Sequence, residues 1–581
     1  MLIKSNGIVM EYEIKTEENS AKQYVVITGT RNEASGNLEI PAKINGYPVT
    51  HIGARAFLGR RRITSITIPN SVTNIGKEAF SECSELTRVT MPDGINDIAD
   101  FLFYGCKKLS HITIPDSVTN IGQGAFRNCE RLTLITIPDG VTSIGDGAFE
   151  GCLWLVSVTI PHGVTHIGNR VFDMCCELKS IAIPDHVISI GDRAFYGCSE
   201  LTGIIIPDNV SSIGAEAFCG CSGLASITIP NGVTSIRKSM FERCSGLTHI
   251  TIPNSVTNIE KRAFFGCKGL TCITIPNKVS SIGDKAFCGC SGLTGITIPD
   301  SVTNFGDKVF RDCNGLQYFV VGDGNPIYKS DFGLLLTKDG AEIVFVPEGL
   351  TSITIPDSIT NIGNTLFSCC NDLQSFVVDG RNLAYKSDSG LLLTKDGKTL
   401  LSVPKGLENV TIPDSVSHIG NGAFFDCNRL VNVIMSDSIR SVGCCAFYGC
   451  SGLTSVLIGN SVMTIGDSAF FGCSGLTSVM IPDNVISIDD HAFSGCRGLT
   501  NVKIGNNVTS IGNYAFSDCG LEDIVIPDNV REIGGGYVFS GCKSLVYVSL
   551  PGHLRGLMGV TEFKDCSPML KVMYRARWRL W

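Results

Sequence analysis

No stretch of this chain approaches the roughly 20 consecutive apolar residues that a membrane-crossing helix needs, although 43% of its 581 residues are hydrophobic. The apolar residues are dispersed, which suits a core drawn out along an axis. Disorder is excluded on the same ground, because so apolar a chain buries enough surface to offset its ordering entropy. The opening segment from Met1 to Glu11 lacks the apolar run of about 7–15 residues that marks a secretory signal. No anchor is visible at the other end, so the sequence leaves the location open. A Lys/Arg run is missing from the body of the chain, whose net charge is −8, and nucleic acid therefore has no electrostatic footprint here. Only the tail from Lys571 to Trp581 gathers Arg575, Arg577 and Arg579 among Tyr574, Trp578 and Trp581. A solvated end strand is the preferred reading there over a membrane- or nucleic-acid-binding tail.

Catalytic signatures are equally scarce. Neither Gly-x-Ser-x-Gly, His-Glu-x-x-His nor a phosphate-binding loop occurs, and the nine histidines are scattered. His111 and His249 share a position in the repeat described next but lie six repeats apart. Acid–base chemistry requires groups within about 3 Å of each other and of substrate. No catalytic residue, cofactor or metal is expected.

What the chain has in abundance is one short unit. Proline recurs every 23 residues from Pro69 to Pro299, phenylalanine keeps the same step from Phe80 to Phe310, and cysteine keeps it from Cys83 to Cys313. Three columns in phase define a solenoid. In the unit from Leu132 to Cys152, Ile135 and Ile137 alternate with polar neighbours and predict a strand with one buried face. Pro138, Asp139 and Gly140 turn the chain, and Val141 and Ile144 mark a second short extended piece. Asp146 to Phe149 is too short for a full helix and is expected to form a single helical turn. Seven inward residues cannot bury one another within 23, so each coil needs its neighbours. Two units are longer: Gly322 and Asp379 stand where proline is due, and each is followed by 34 residues to the next proline of the column, Pro356 and Pro413. Both carry Lys-Asp-Gly between apolar runs, ending at Gly340 and Gly397, which signals a β-hairpin. Upstream, Val9–Ile14 and Tyr24–Thr28 alternate like a hairpin and suggest an N-terminal cap.

These residues resemble the BspA-type leucine-rich repeat, found in surface proteins of gut and oral bacteria and of some protists. The likeness extends over about residues 20–566 and includes the Asn-Gly-Tyr-Pro-Val-Thr opening at Asn45 and both hairpins. It implies a β-rich solenoid: a leucine-rich-repeat right-handed superhelix with parallel strands on one face, in about 20 regular coils plus two β-hairpin units. The expected divisions are residues 1–40 (cap), 41–321 (repeats), 322–412 (two hairpin-containing repeats), 413–566 (repeats) and 567–581 (end strand). The resemblance further implies a non-catalytic binding scaffold, a surface or secreted adhesin that takes a protein or glycan along its strand face, and a monomer. An intracellular structural or effector scaffold is the alternative, and an enzyme a remote third. Family members usually carry an export signal and an anchor that are not visible here.

Nineteen of the 26 cysteines sit in the repeat column. Disulfides would need Cβ atoms about 3.8 Å apart, whereas parallel side chains on stacked coils stay near 5 Å. Zinc needs four converging ligands, which a straight column does not offer. The column is therefore expected to hold small buried thiols, while Cys176, Cys219, Cys288, Cys369, Cys444 and Cys445 lie off it and are open to oxidation. An outward threonine ladder, Thr67, Thr90, Thr113, Thr136 and Thr159, fits ordinary solvent-facing strands; ice or sugar binding is the alternative. Aspartates after the prolines, such as Asp93 and Asp116, are read as turn formers rather than calcium ligands. The candidate partner-binding residues lie two before the proline position, where threonine gives way to Val320, Val377, Ile434, Leu457 and Met480, with Tyr318 nearby. Such a stripe marks a partner site, unless its members are the ordinary single apolar residues of any surface.

Overall fold

The structure, a computed structural model, describes residues 1–581 except 19–20, 32–33, 364–365, 557–558, 560 and 576–581. The chain divides into two compact units, Met1–Gly315 with Val321–Pro326, and Leu316–Val320 with Ile327–Trp581. Both are β-solenoids. Among the described residues there is no α-helix, only two short 3-10 segments, Gly552–Gly556 and Thr561–Phe563, and no helix is long and apolar enough to cross a membrane.

Each regular coil has three sides. The first is the strand before the proline: Leu134–Ile135, Ser157–Thr159 and Ser180–Ala182 pair in parallel, with residues 23 apart opposite one another. The second is the short strand after it, where Asn120–Ile121 pairs with Ser143–Ile144. Between them Val141 N–H donates to Pro138 O at 3.0 Å and closes the turn. The step from coil to coil is so close that a Cβ on Gly145 would stand 2.5 Å from the Gln123 nitrogen, so only a hydrogen fits there.

The third side departs from the expected helical turn. From Gly147 to Cys152, alternate N–H groups turn inward and outward along the solenoid. Gly147, Phe149 and Gly151 donate to Asn169 O, Val171 O and Asp173 O of the following coil, at 2.7–3.0 Å, while Ala148, Glu150 and Cys152 close local turns onto residues three earlier. A helical turn would bond only to itself. Stacking requires every second donor to point along the axis, and the left-handed residues Gly147 (φ 63°) and Gly151 (φ 74°) provide that alternation. In other coils Arg170, Arg193, Glu216 and Arg262 hold the same left-handed conformation, uncommon for residues with a Cβ.

The core is made of columns. Phe57 to Phe310 stack coil on coil with ring centroids 5.3–5.8 Å apart, and Phe424 to Phe563 do so at 4.3–6.0 Å. All 26 cysteines are free thiols. From Cys83 to Cys313 and from Cys450 to Cys566 each column thiol donates to the phenylalanine carbonyl of the coil before, as Cys152 Sγ does to Phe126 O at 3.2 Å, so the residue fills space and satisfies an acceptor at once.

At the N-terminus Leu2–Ser5, Ile8–Thr16 and Gln23–Thr30 form an antiparallel meander, and Gln23–Thr30 then pairs in parallel with Tyr47–Ile52. The 34-residue units contain three-stranded meanders. In the second, Tyr385–Asp388, Leu391–Thr394 and Thr399–Ser402 are antiparallel, and Thr399–Ser402 rejoins the solenoid against His418–Ile419. The missing prolines have a reason here: Gly322 N–H donates to Ile298 O and Asp379 N–H to Ile355 O, both at 2.9 Å, and proline has no such donor. At the other end Lys571–Arg575 pairs with Tyr547–Pro551 and Arg575 binds Asp528 at 2.7 Å. Arg577, Trp578, Arg579 and Trp581 lie outside the described residues.

Candidate binding face

On the strand before the proline, the backbone pleat sends alternate side chains outward. In the C-terminal unit Asn409–Thr411, Asn432–Ile434 and Ser455–Leu457 pair in register, so that Thr411, Ile434 and Leu457 stand directly opposite one another. Met480 follows on the next coil and pairs with Lys503. Ile434 is 52% exposed, Leu457 64% and Met480 61%. Beside this apolar row runs a polar one whose members satisfy each other: Asn432 Nδ2 donates to Asn409 Oδ1 at 2.9 Å and Ser455 Oγ to Asn432 Oδ1 at 2.6 Å. Between the two rows lies an open depression lined by Asn409, Thr411, Asn432, Ile434, Ser455 and Leu457.

The other candidate residues sit apart from this group. Val377 pairs with Thr354, and beyond it the strand ladder stops. Phe376 N–H donates to Gly390 O at 2.8 Å and Val378 N–H reaches Ser387 Oγ at 3.3 Å, so the hairpin folds back over the edge that a following coil would use. The same fold-back occurs at Tyr318 and Val320, where Phe319 N–H donates to Gly333 O at 2.9 Å and the Tyr318 side chain lies against Gly333. Both residues remain exposed, but the hairpin separates Val377 from Ile434. The structure brings together Ile434, Leu457 and Met480.

Sequence reasoning missed apolar residues on the neighbouring side of the same coils. Met463 and Ile486, two before the end of the short strands, are exposed and line a depression with Arg440 and Asp483. Their signal was present in the sequence, since Thr73, Thr119 and Thr142 hold that position elsewhere. In the N-terminal unit the strand face is polar. Its largest exposed apolar residues, Leu134 and Ile205, lie three coils apart, and a depression there is lined by Arg88, Thr90, Asp93, His111 and Thr113. The threonine rows run in register along the same face.

Among the described residues no group of three or more His, Cys, Asp and Glu is placed to hold a metal ion. Burial pushes Cys152 up to about 12 and Cys106, Cys129 and Cys175 well above the usual thiol value. Asp173 and Glu150, on adjacent coils of the turn side, are raised chiefly by burial, and each binds an arginine of a neighbouring coil, Arg193 and Arg127, at 3.0 and 2.8 Å. Such ladders hold coils together.

A search of curated proteins finds no match. Among solved structures, a leucine-rich repeat protein from Bacteroides ovatus is 25% identical, with 98% of each chain covered and a TM-score of 0.30. A leucine rich repeat protein of T. pallidum is 28% identical over 37% of this chain and 87% of its own, with a TM-score of 0.30. The pneumococcal vaccine antigen PcpA is 17% identical over 99% of each chain, with a TM-score of 0.25. The model of the BspA type leucine rich repeat region matches six times, over residues 50–178, 165–274, 264–332, 342–388, 403–485 and 464–576. With its proline, phenylalanine and cysteine columns stacked as that repeat requires, the chain belongs to the BspA type leucine rich repeat family.

Proposed function

We propose that this scaffold is an adhesin, displayed on a cell surface or secreted, that captures a protein or glycan ligand on the strand face of its C-terminal unit. One observation supports this above all: Ile434, Leu457 and Met480 are exposed on consecutive coils, and contiguous apolar surface of this kind is what partners cover. The core gains nothing from these side chains. Changing all three to Thr restores the residue that most of the N-terminal coils carry there and leaves the columns untouched. The purified chain and the triple variant are to be tested against immobilised matrix proteins, glycans and whole cells. The parent is expected to retain a ligand that the variant loses about tenfold or more. A folded variant that binds as well as the parent removes this face from consideration.

A second reading is favoured by the thiols. Twenty-six free cysteines suit a reducing compartment, where the same face would serve an intracellular structural or effector scaffold. Protease treatment of intact source cells separates the two: loss of the chain supports display, and survival until lysis supports the interior.

A further inference from the structure

We propose that the segment which docks on this face is a cationic amphipathic stretch of a partner protein, Lys/Arg-rich on one side and apolar on the other. This rests on the strand-face reading above and names the chemistry of its ligand. The argument is charge complementarity. The chain carries −8 in all. Between Glu408 and Asp528 alone there are twelve carboxylates and four Lys or Arg, so this segment by itself accounts for −8 and the remainder of the chain is balanced. Seven of the twelve, Glu408, Asp414, Asp437, Asp483, Glu522, Asp523 and Asp528, flank the strands that carry the apolar stripe, and the other five lie on the remaining sides of the coils.

Its placement on the strand side follows the repeat. Three residues beyond each outward apolar position lies the turn after the proline, occupied by Asp414, Asp437, Asp483 and Asp528, all exposed. Among the described residues, Asp528 alone of these four has a cationic partner, Arg575. Asp437 and Asp483 each accept one backbone N–H, from Asn460 and Asn506, at 2.9 and 2.8 Å. One carboxylate oxygen of each is left to face solvent. Glu408, Glu522 and Asp523 stand exposed at the start of strands on the same face. Against them, Lys503 is the one base in the six strands from Asn409–Thr411 to Asp523–Val525.

The N-terminal unit lacks this combination. It has the same aspartate edge, at Asp116, Asp139 and Asp185, but Thr113 and Thr136 beside it in place of the stripe. Apolar rows give a partner desolvated contact, and a rim of one sign selects its charge and orientation. An acidic partner would meet the rim with repulsion. A neutral one would leave the rim unmatched.

The test uses the full chain and three fluorescent synthetic peptides of equal length and identical leucine spacing, with Lys, Gln or Glu at the polar positions. The Lys peptide is expected to bind, the others at least about tenfold more weakly. Raising salt from about 0.1 to about 1 M shortens the screening length from about 10 to about 3 Å and should weaken the Lys peptide about tenfold. Binding should fall similarly in the Ile434, Leu457, Met480 triple Thr variant and in D414N/D437N/D483N. Asn is already present in this column at Asn460 and Asn506, so the fold tolerates it. The charge-matched control D116N/D139N/D185N should bind as the parent does. Equal loss in that control would reduce the effect to diffuse electrostatics and overturn the proposal, as would failure of every peptide to bind. Equal, salt-independent binding of Lys and Gln peptides would overturn the charge assignment while leaving the strand face as a docking site. The strand-face reading fails separately, if the triple Thr variant keeps the parent's cell or matrix ligand.

Discussion

Cysteine is the residue whose chemistry this fold alters most. A free thiol titrates near 8.5, but burial pushes Cys152 up to about 12 and Cys106 and Cys129 well above their usual value. The folded chain keeps these protons where the unfolded chain has lost them. The stability they contribute is complete below about pH 8.5 and is lost as pH climbs towards 12, because there the unfolded state binds fewer protons than the folded one. Each thiol contributes about 1.4 kcal/mol per pH unit across that window. With most of the column raised in this way, as at Cys106, Cys129, Cys175 and Cys244, the urea midpoint should hold steady from about pH 7 to 8.5 and then fall steeply; a flat profile to pH 11 would contradict the burial. At neutral pH a thiol reagent should react rapidly with Cys272 and Cys444, which are exposed, and reach the column only on unfolding. Without reductant the nineteen column cysteines should count as free in denaturant. Fewer than half would mean that the column is cross-linked.

At the scale of the element, the two long units depend on one buried side chain each. Asn382 is fully buried and uses all its hydrogen-bonding capacity. Its Nδ2 donates to Pro356 O and Ile359 O at 2.7 and 2.9 Å, and its Oδ1 accepts from the Ala384 and Tyr385 N–H groups at 2.9 and 2.8 Å. It thereby ties the start of the hairpin to the coil beneath. Asn325 repeats the donor half at Pro299 O and Val302 O, both at 2.9 Å. Replacing Asn382 with Ala leaves buried carbonyl and amide groups unpaired, at a cost of about 1–3 kcal/mol for each group stranded. Hydrogen exchange should quicken across residues 382–402 and leave the regular coils near Phe493 unchanged. Unaltered protection in the hairpin would show that the fold-back at Gly390 holds it unaided. The regular turn segments carry a different cost. Arginine and glutamate in the left-handed region are strained by about 1 kcal/mol or more, so Glu216→Gly is expected to be neutral or stabilising, read as an unchanged or raised urea midpoint.

On the scale of the whole molecule, each unit is a stack in which a coil touches only its neighbours, and stability should propagate accordingly. Phe241 is fully buried and stacks on Phe218 and Phe264 at 5.7 and 5.6 Å. Truncation to Ala should cost about 3–5 kcal/mol, felt first in the coils on either side. Hydrogen exchange on Phe241→Ala is expected to show loss of protection centred on residues 218–264 and fading with distance. A uniform loss from residue 60 to 540 would mean that the stack unfolds as one body. The two units also join their coils differently on the turn side. Ion pairs such as Arg55 with Glu78 and Arg262 with Glu242 link coils in the N-terminal unit. In the C-terminal unit Phe425, Tyr448 and Phe471 stack at 5.1 and 4.8 Å, and His491, Tyr514 and Tyr537 continue at 4.7 and 5.1 Å.

The sequence by itself determined the period, the strand before each proline, the inward phenylalanine and cysteine columns and the hairpins, because a stacked coil demands the same residue type at the same place every time. It also marked Ile434, Leu457 and Met480, since a fixed period turns a change of residue type into a place on the surface. The conformation of the third side was not legible. Arg170, Glu216 and Arg262 have no shared chemistry that signals a positive φ, and the alternation is imposed by donors that must reach the next coil. Only the tertiary structure decided that Val377 stands apart from Ile434, because a hairpin folding back onto its own strand occupies hydrogen-bonding edges that spacing alone assigns to the following coil.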